Sequence, residues 1–179
     1  MLATGYMLLG CAEAVRASDC PRQDSAAGAR GSLPAGVPDD FSVSYVVTDS
    51  GEALELILAP QKGPTGAVAF ELRMVRRKGE ELEAERSAVF DREACRPIYD
   101  EVRAAFHLLD QEKVDQAGSV ARELESSRWL GRVPMPPFPP SGRWRICVTA
   151  AGETRSVKSD ISPVREINSI IEKMISRLP

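Results

Sequence analysis

The chain has 179 residues, 43% of them hydrophobic, and its formal net charge is −3. This length fits one domain with extensions, and the apolar fraction is sufficient for a buried core. Because charges of both signs are mixed and their sum is small, neither nucleic acid nor an anionic membrane surface is predicted as a partner. No apolar run in the sequence reaches the roughly 20 residues that a membrane-spanning helix needs.

Two segments precede the first strand-like pattern. Residues 1–10 are apolar and uncharged, whereas residues 12–40 are rich in Ala, Gly, Ser, Pro and Asp and show no helical or strand periodicity. The second composition is typical of a flexible linker. We therefore expect a linker over 11–40 and a single globular domain over 41–179.

Strand-like runs dominate the first half of this domain. The four runs are 41–48, 53–60, 67–77 and 81–90. The last is rich in glutamate and is interpreted as an exposed edge strand or a short helix. Gly51 lies in the polar loop between the first two, and Lys78-Gly79 separates the last two. A short polar loop with Gly between such runs predicts a β-hairpin, so we expect two hairpins here. Residues 143–150 and 153–159 flank Gly152 and predict a third.

Helical spacing follows the second hairpin and returns at the C-terminus. Asp91 is placed as an N-cap, and Ile98, Val102, Phe106 and Leu109 recur on one helical face. Ser162-Pro163 is typical of a helix start, with Ser as N-cap and Pro at the first position. The apolar stripe of that last helix comprises Val164, Ile167, Ile170, Ile171, Met174, Ile175 and Leu178.

These elements predict an α+β fold. We expect an antiparallel sheet of β-hairpins with one or two central helices and a C-terminal amphipathic helix, because hairpins dominate and no βαβ crossover pattern occurs. A β-sandwich with a helical insertion is the alternative. For the C-terminal helix, docking on the apolar face of the sheet is favoured over a dimer seam.

The sequence around Cys11 has a distinctive pattern. Leu8-Leu9-Gly10-Cys11 resembles a lipobox, the cleavage site of bacterial lipoprotein signal peptides. The resemblance covers residues 1–11 only and implies that residues 1–10 are the remnant of a signal peptide. It also implies that Cys11 becomes the lipidated first residue of the mature protein. Two or three acyl chains, at about 0.8 kcal/mol per buried methylene, would make a stable anchor.

The resemblance also implies a location. Residue 12 is Ala and not the Asp that favours inner-membrane retention, so sorting to the outer membrane is expected. Two features depart from the lipoprotein pattern, since no Lys or Arg precedes the apolar residues and the apolar stretch is short. Both would follow if the true start codon lay upstream and Met1 were internal to the signal peptide. The alternative is a cytoplasmic protein in which residues 1–10 dock on the core and Cys11 is a small buried hydrophobe.

Three cysteines remain besides Cys11. In an exported protein cysteines commonly pair, and we consider a disulfide between Cys95 and Cys147, with two buried free thiols as the alternative. Cys20 lies in the linker and would be the odd cysteine, with no predicted disulfide partner. The spacings contain no C-x-x-C, so the sequence supports no metal site.

No motif of the sequence predicts catalysis or a cofactor. His107 is the only histidine, and the glutamates around Glu83 are typical of a solvated surface. No phosphate-binding, dinucleotide-binding or nucleophile-elbow motif occurs. The proline-rich segment 133–142 is interpreted first as a rigid connector. Its alternative role is contact with a partner, which would use Pro134, Pro136, Pro137 and Phe138.

Together these observations favour a non-enzymatic, lipid-anchored envelope protein that binds another envelope protein or supports an envelope assembly. Its partners would be the membrane, through the lipid, and that second protein, with no metal and no cofactor. Two alternatives stay open. One is an envelope immunity or inhibitor protein directed against a toxin or hydrolase, and the other is an enzyme with a site that the sequence does not reveal.

Overall fold

A computed structural model describes residues 33–63, 66–116, 142–160 and 165–179. The described strands are β1 (Ser42–Asp49), β2 (Glu52–Lys62), β3 (Val68–Lys78), β4 (Glu81–Phe90), β5 (Arg143–Ala150) and β6 (Glu153–Ser159). The described helices are α1 (Arg92–Ala105), α2, of which residues 111–116 are described, and α3 (Arg165–Ile175). A short 3-10 turn, Phe106–Leu108, follows α1.

The six strands form one antiparallel sheet in the order β4-β3-β2-β1-β5-β6. With the three helices this is an α+β fold in which the sheet dominates. The β-sandwich alternative is wrong for the described residues, because all of their strands belong to one sheet. The alternating apolar residues lie mainly on one side of the sheet, as antiparallel sheets allow. On the other side, Val75 and Cys147 are also buried.

The register assigns each side chain to one of two faces. The face that we name the inner face contains the row Arg86, Met74, Leu56, Tyr45, Ile146 and Val157. The other, which we name the outer face, contains the row Ser87, Arg73, Ile57, Ser44, Cys147 and Ser156. Because successive side chains of a strand point to opposite faces, these two rows define the two surfaces of the whole sheet.

The core lies between the inner face and the helices. Phe41 contacts Tyr99 of α1 edge-on, with ring centroids 5.0 Å apart, and lies 6.2 Å from the ring of Phe70. In α3, the core residues Ile167 and Ile170 are fully buried. The helices thus cover the inner face, and the main apolar driving force of the fold is concentrated there.

Helix α1 begins as the sequence predicts. The side chain of Asp91 accepts a hydrogen bond from the main-chain N–H of Ala94 at 2.7 Å, which confirms it as the N-cap. The helix continues through Pro97 and ends at Ala105. The predicted apolar face extends beyond that end, since Phe106 and Leu109 are also buried although they lie in and after the 3-10 turn.

Residues 33–40, which we assigned to the linker, pack on the core. Leu33 and Val37 are buried, and the hydroxyl of Tyr99 donates to the main-chain oxygen of Pro34 at 2.8 Å. Asp40 accepts hydrogen bonds from the main-chain N–H groups of Ala151 and Gly152 in the β5–β6 turn. The folded domain therefore includes residues N-terminal to Phe41. Periodicity did not indicate this, because an irregular segment can bury two apolar side chains without any repeat.

Candidate functional site: the β4 edge and the outer face

Strand β4 lies at one edge of the sheet and carries exposed apolar side chains. Val89 is 63% exposed and Leu82 is 47% exposed. A register shift opposite Arg76 and Arg77 pairs Ala84 with the first and Leu82 with the second, so that Glu83 is the extra residue of a β-bulge. The bulge places Leu82 on the outer face, where Val89 also lies. We name Leu82, Val89 and the β4 main chain between them the β4 edge.

The opposite edge of the sheet is bonded by a helix at one residue of β6. The side-chain amide of Gln111 in α2 donates to the main-chain oxygen of Lys158 at 2.8 Å and accepts from its N–H at 2.9 Å. Gln111 thereby replaces a neighbouring strand at β6. Within the part of the chain that the structure describes, no side chain bonds the main chain of β4 in this way. An uncovered edge strand can pair with an added strand.

Charge restricts what the β4 edge can bind. Glu85 pairs with Arg73 at 2.7 Å and Glu83 pairs with Arg76 at 3.0 Å, and all four side chains keep contact with solvent. Glu81 stands at the start of the same strand. Acidic side chains and a bulge on an edge strand disfavour unselective pairing, so this edge is suited to a segment with apolar side chains near Leu82 and Val89 and basic ones beside the glutamates.

The two described cysteines are in different states. Cys147 is disulfide-bonded, whereas Cys95 has a free, buried thiol. The considered bridge between Cys95 and Cys147 is therefore wrong. The physical reason is the register: Cys147 lies on the outer face, beside Ser44 and Ser156, and Cys95 belongs to α1 on the inner side. The sheet stands between the two sulfur atoms.

Burial makes Cys95 chemically inert. It raises the pKa of the Cys95 thiol from 9.0 to about 12. Because the thiolate is the reactive form, a buried thiol with a raised pKa is a poor nucleophile and a poor metal ligand. Cys95 acts as a small apolar residue of the core.

His107 and the acidic residues form no recognisable reaction centre where they are described. His107 is exposed in the 3-10 turn, and its main-chain oxygen accepts from the ammonium of Lys113 at 2.9 Å. Among the described residues, no group of three His, Cys, Asp or Glu side chains is arranged to hold a metal ion. Nearby, the guanidinium of Arg155 stacks 4.2 Å from the ring centre of Phe106 and donates to its main-chain oxygen, which fixes the 3-10 turn on β6.

Several predicted site residues lie outside the described residues. These are Cys11 with the lipobox-like segment, Cys20, the possible partner contacts Pro134, Pro136, Pro137 and Phe138, and the helix start at Ser162-Pro163. The glutamate-rich run 81–90 allowed two interpretations, an exposed edge strand or a short helix, and the structure has the edge strand. Sequence reasoning missed the Gln111 contact, because no local pattern predicts that Gln111 meets Lys158.

No helix in the described ranges is both long and apolar enough to cross a membrane. Comparison of the chain with protein-family models, with curated proteins and with solved structures gives no match.

Proposed function

We propose that this chain is a lipid-anchored protein of the bacterial envelope, sorted to the outer membrane, whose domain binds another envelope protein without catalysis. The observation that carries the proposal is the lipobox-like Leu8-Leu9-Gly10-Cys11. The disulfide at Cys147 supports it independently, because structural disulfides persist mainly in oxidising compartments. The lipid would hold the chain at the membrane, and the residues before Leu33 would tether the domain.

The proposed domain is built of three β-hairpins, β1–β2, β3–β4 and β5–β6, with α3 as an amphipathic helix. The burial pattern of α3 supports an amphipathic helix, since its buried residues recur at helical spacing while Glu166 and Glu172 are exposed. In this arrangement the inner face is used for folding. A partner would therefore bind at an edge or on the outer face.

The β4 edge is the proposed partner-binding surface. It combines two exposed apolar side chains, Leu82 and Val89, with an edge strand that no described residue covers. An extended segment of the partner would pair with β4 through main-chain hydrogen bonds, and its basic side chains would face Glu81, Glu83 and Glu85.

Fractionation tests the anchored location. The protein is expressed from its own gene as wild type, as Cys11→Ser and as the matched control Cys20→Ser, and the outer-membrane, inner-membrane and soluble fractions are compared. We expect the wild type and the control in the outer membrane and Cys11→Ser outside it. A wild type that is soluble, or a Cys11→Ser variant that fractionates with the wild type, would contradict the proposal.

Cross-linking in intact cells tests the β4 edge. A photoreactive residue replaces Val89 in one variant and Glu172, exposed on α3, in the control. We expect a single defined adduct from position 89, weakened by the additional change Leu82→Lys, and none from position 172. Equal adducts from both positions, or no adduct from position 89, would count against binding at this edge.

A further inference from the structure

Cys147 has a disulfide partner that the proposed function helps to identify. The chain has four cysteines, and of the two described ones Cys95 is free and Cys147 is bonded. Within one chain, the partner of Cys147 is therefore Cys11 or Cys20. Lipidation would convert the sulfur of Cys11 into a thioether, which cannot form a disulfide.

We propose that Cys20 and Cys147 form a disulfide that fastens the N-terminal segment to the outer face of the sheet. This inference rests on the proposed function for the choice between Cys11 and Cys20. Its structural basis is the position of Cys147 and the side chains around it.

The surroundings of Cys147 leave room for a second chain segment. Its neighbours across the strands are Ser44 on β1 and Ser156 on β6, and both have small side chains. Cys147 is nevertheless only 9% exposed, whereas Ser156 in the same row is exposed. Two serines cover little of a central cysteine. Its low exposure is explained if the disulfide partner and the residues beside it cover this part of the outer face.

The path of the chain is compatible with this bond. Asp40 binds the turn at Ala151 and Gly152, so the N-terminal segment reaches the sheet at the end of β5. Cys147 lies about 13 Å from Ala151 along the strand, at about 3.3 Å per residue. The residues from Cys20 to Leu33 can span up to about 45 Å, which is enough to pass around the edge of the sheet from its inner to its outer side.

Forming the bond is an oxidation that needs a named acceptor. The thiols of Cys20 and Cys147 lose two protons and two electrons, and a sulfur–sulfur bond forms between them. A disulfide of an envelope thiol oxidoreductase would accept both electrons and both protons and become a dithiol, by exchange through a mixed disulfide. In the cytosol the glutathione and thioredoxin systems would reverse the reaction. The bond would therefore form only after export.

The bond would determine what the lipid anchor can do. With Cys20 held on the outer face, only residues 12–19 would connect the lipid to a fixed point of the domain. They span at most about 30 Å, so the outer face of the sheet would be kept near the membrane. The tether is much shorter than one that runs freely from Cys11 to Leu33.

Peptide mapping of the native protein tests the proposal. The full chain is isolated from its own envelope, free thiols are alkylated without reduction, and trypsin cuts after Arg16, Arg22, Arg145 and Arg155. We expect peptide 17–22 linked to peptide 146–155, and Cys95 alkylated after denaturation. An alkylated Cys147, or a link from Cys11 to Cys147, would overturn the proposal.

The same digest separates this proposal from the anchor. A lipidated Cys11 together with an alkylated Cys147 would reject the disulfide alone, whereas an unmodified residue 11 with the 17–22 to 146–155 link intact would reject the anchor alone. In a second measurement, a maleimide polymer labels the denatured, unreduced chains. We expect one labelled thiol in the wild type and two in Cys20→Ser. An unchanged number in the variant would contradict pairing with Cys20.

Discussion

Asp40 is the residue that joins the N-terminal segment to the sheet. Its two carboxylate oxygens accept the N–H groups of Ala151 and Gly152 at 2.8 and 2.6 Å. These two residues have φ angles of 54° and 77°, so both N–H groups belong to a tight turn of the kind that favours glycine. A carboxylate in this position satisfies two main-chain donors and fixes where the chain enters β1.

We predict that Asp40→Ala lowers the free energy of unfolding by about 1–3 kcal/mol, the usual cost of losing charge-assisted hydrogen bonds. The matched control is Asp39→Ala, which removes a solvent-exposed ion pair with Arg92 and should change stability by less than about 1 kcal/mol. Urea unfolding of both variants measures the difference. Equal effects would show that the turn does not depend on Asp40.

Cys95 makes the fold sensitive to alkaline pH. Its pKa is raised by burial from 9.0 to about 12. Between these values the unfolded thiol loses its proton while the folded one keeps it, so the unfolded state binds fewer protons. The free energy of unfolding must therefore fall as the pH rises through this range. Below pH 9.0, the pKa of the unfolded thiol, the thiol is protonated in both states and this loss of stability does not occur.

We predict that Cys95→Ala reduces this alkaline loss of stability. The wild type and the variant are unfolded with urea at about pH 7 and again at about pH 10, between the two pKa values that define the window. The decrease should be smaller in the variant, although Cys95→Ala itself is less stable at neutral pH. Tyr45, with its pKa raised by burial from 10.0 to about 12, adds to the loss at the upper end. Parallel pH profiles would exclude Cys95 as a contributor.

At the scale of single elements, α3 shows how a helix depends on its docking surface. Ile167, Ile170, Ile171 and Met174 are buried in the common core, and the hydroxyl of Ser169 donates to the carboxylate of Glu101 on α1 at 3.0 Å. An isolated helix of this length is marginal in water. Its stability must therefore come from contacts with α1 and the inner face.

We predict that Ile171→Ala lowers the free energy of unfolding by about 2–4 kcal/mol, because it leaves a cavity in the core. Glu172→Ala changes an exposed position of the same helix and serves as the control. Thermal unfolding is measured at two widely separated protein concentrations. A wild-type melting temperature that rises with concentration would indicate a dimer seam. An unchanged melting temperature in Ile171→Ala would contradict docking of this helix on the core.

Local patterns predicted some elements better than their assembly. The alternation of apolar and polar residues indicated the inward side chains of β1, such as Val43 and Tyr45. An aspartate directly before a run with helical spacing indicated the N-cap at Asp91. Both depend on residues close in sequence. The same alternation in 143–150 predicts that the side chains of Ile146 and Cys147 point to opposite faces of the sheet. It could have excluded a disulfide from Cys147 to a helix on the inner face.

Other features depend on tertiary contacts that no local pattern contains. Residues 33–40 are held by Tyr99 and by the β5–β6 turn, both far away in sequence. Gln111 covers β6 only because the fold brings α2 to that edge. The openness of the β4 edge follows from the strand order, which pattern analysis did not supply. These contacts could only be found in the folded chain.

At the scale of the whole molecule, the helices pack on one face of the sheet, and we propose that the other face serves attachment. The inner face is filled by the helices and the segment 33–40, while the outer face holds Cys147 and the β4 edge remains uncovered by described residues. In the proposed protein the N-terminal lipid lies on the membrane side and the β4 edge binds the partner. Gly142, directly before β5, lies so close to β1 that a Cβ there would be 2.9 Å from the main-chain oxygen of Thr48.

Covalent lipid at Cys11 is the central claim, and labelling with a fatty acid tests it most directly. Cells that express the chain from its own gene are grown with a labelled fatty acid, and the purified protein is analysed by intact mass and by its N-terminal peptide. We predict label in the wild type and in Cys20→Ser, none in Cys11→Ser, and a mature chain that begins at a diacylglyceryl-modified Cys11. An unlabelled wild type that still carries residues 1–10 would contradict the account.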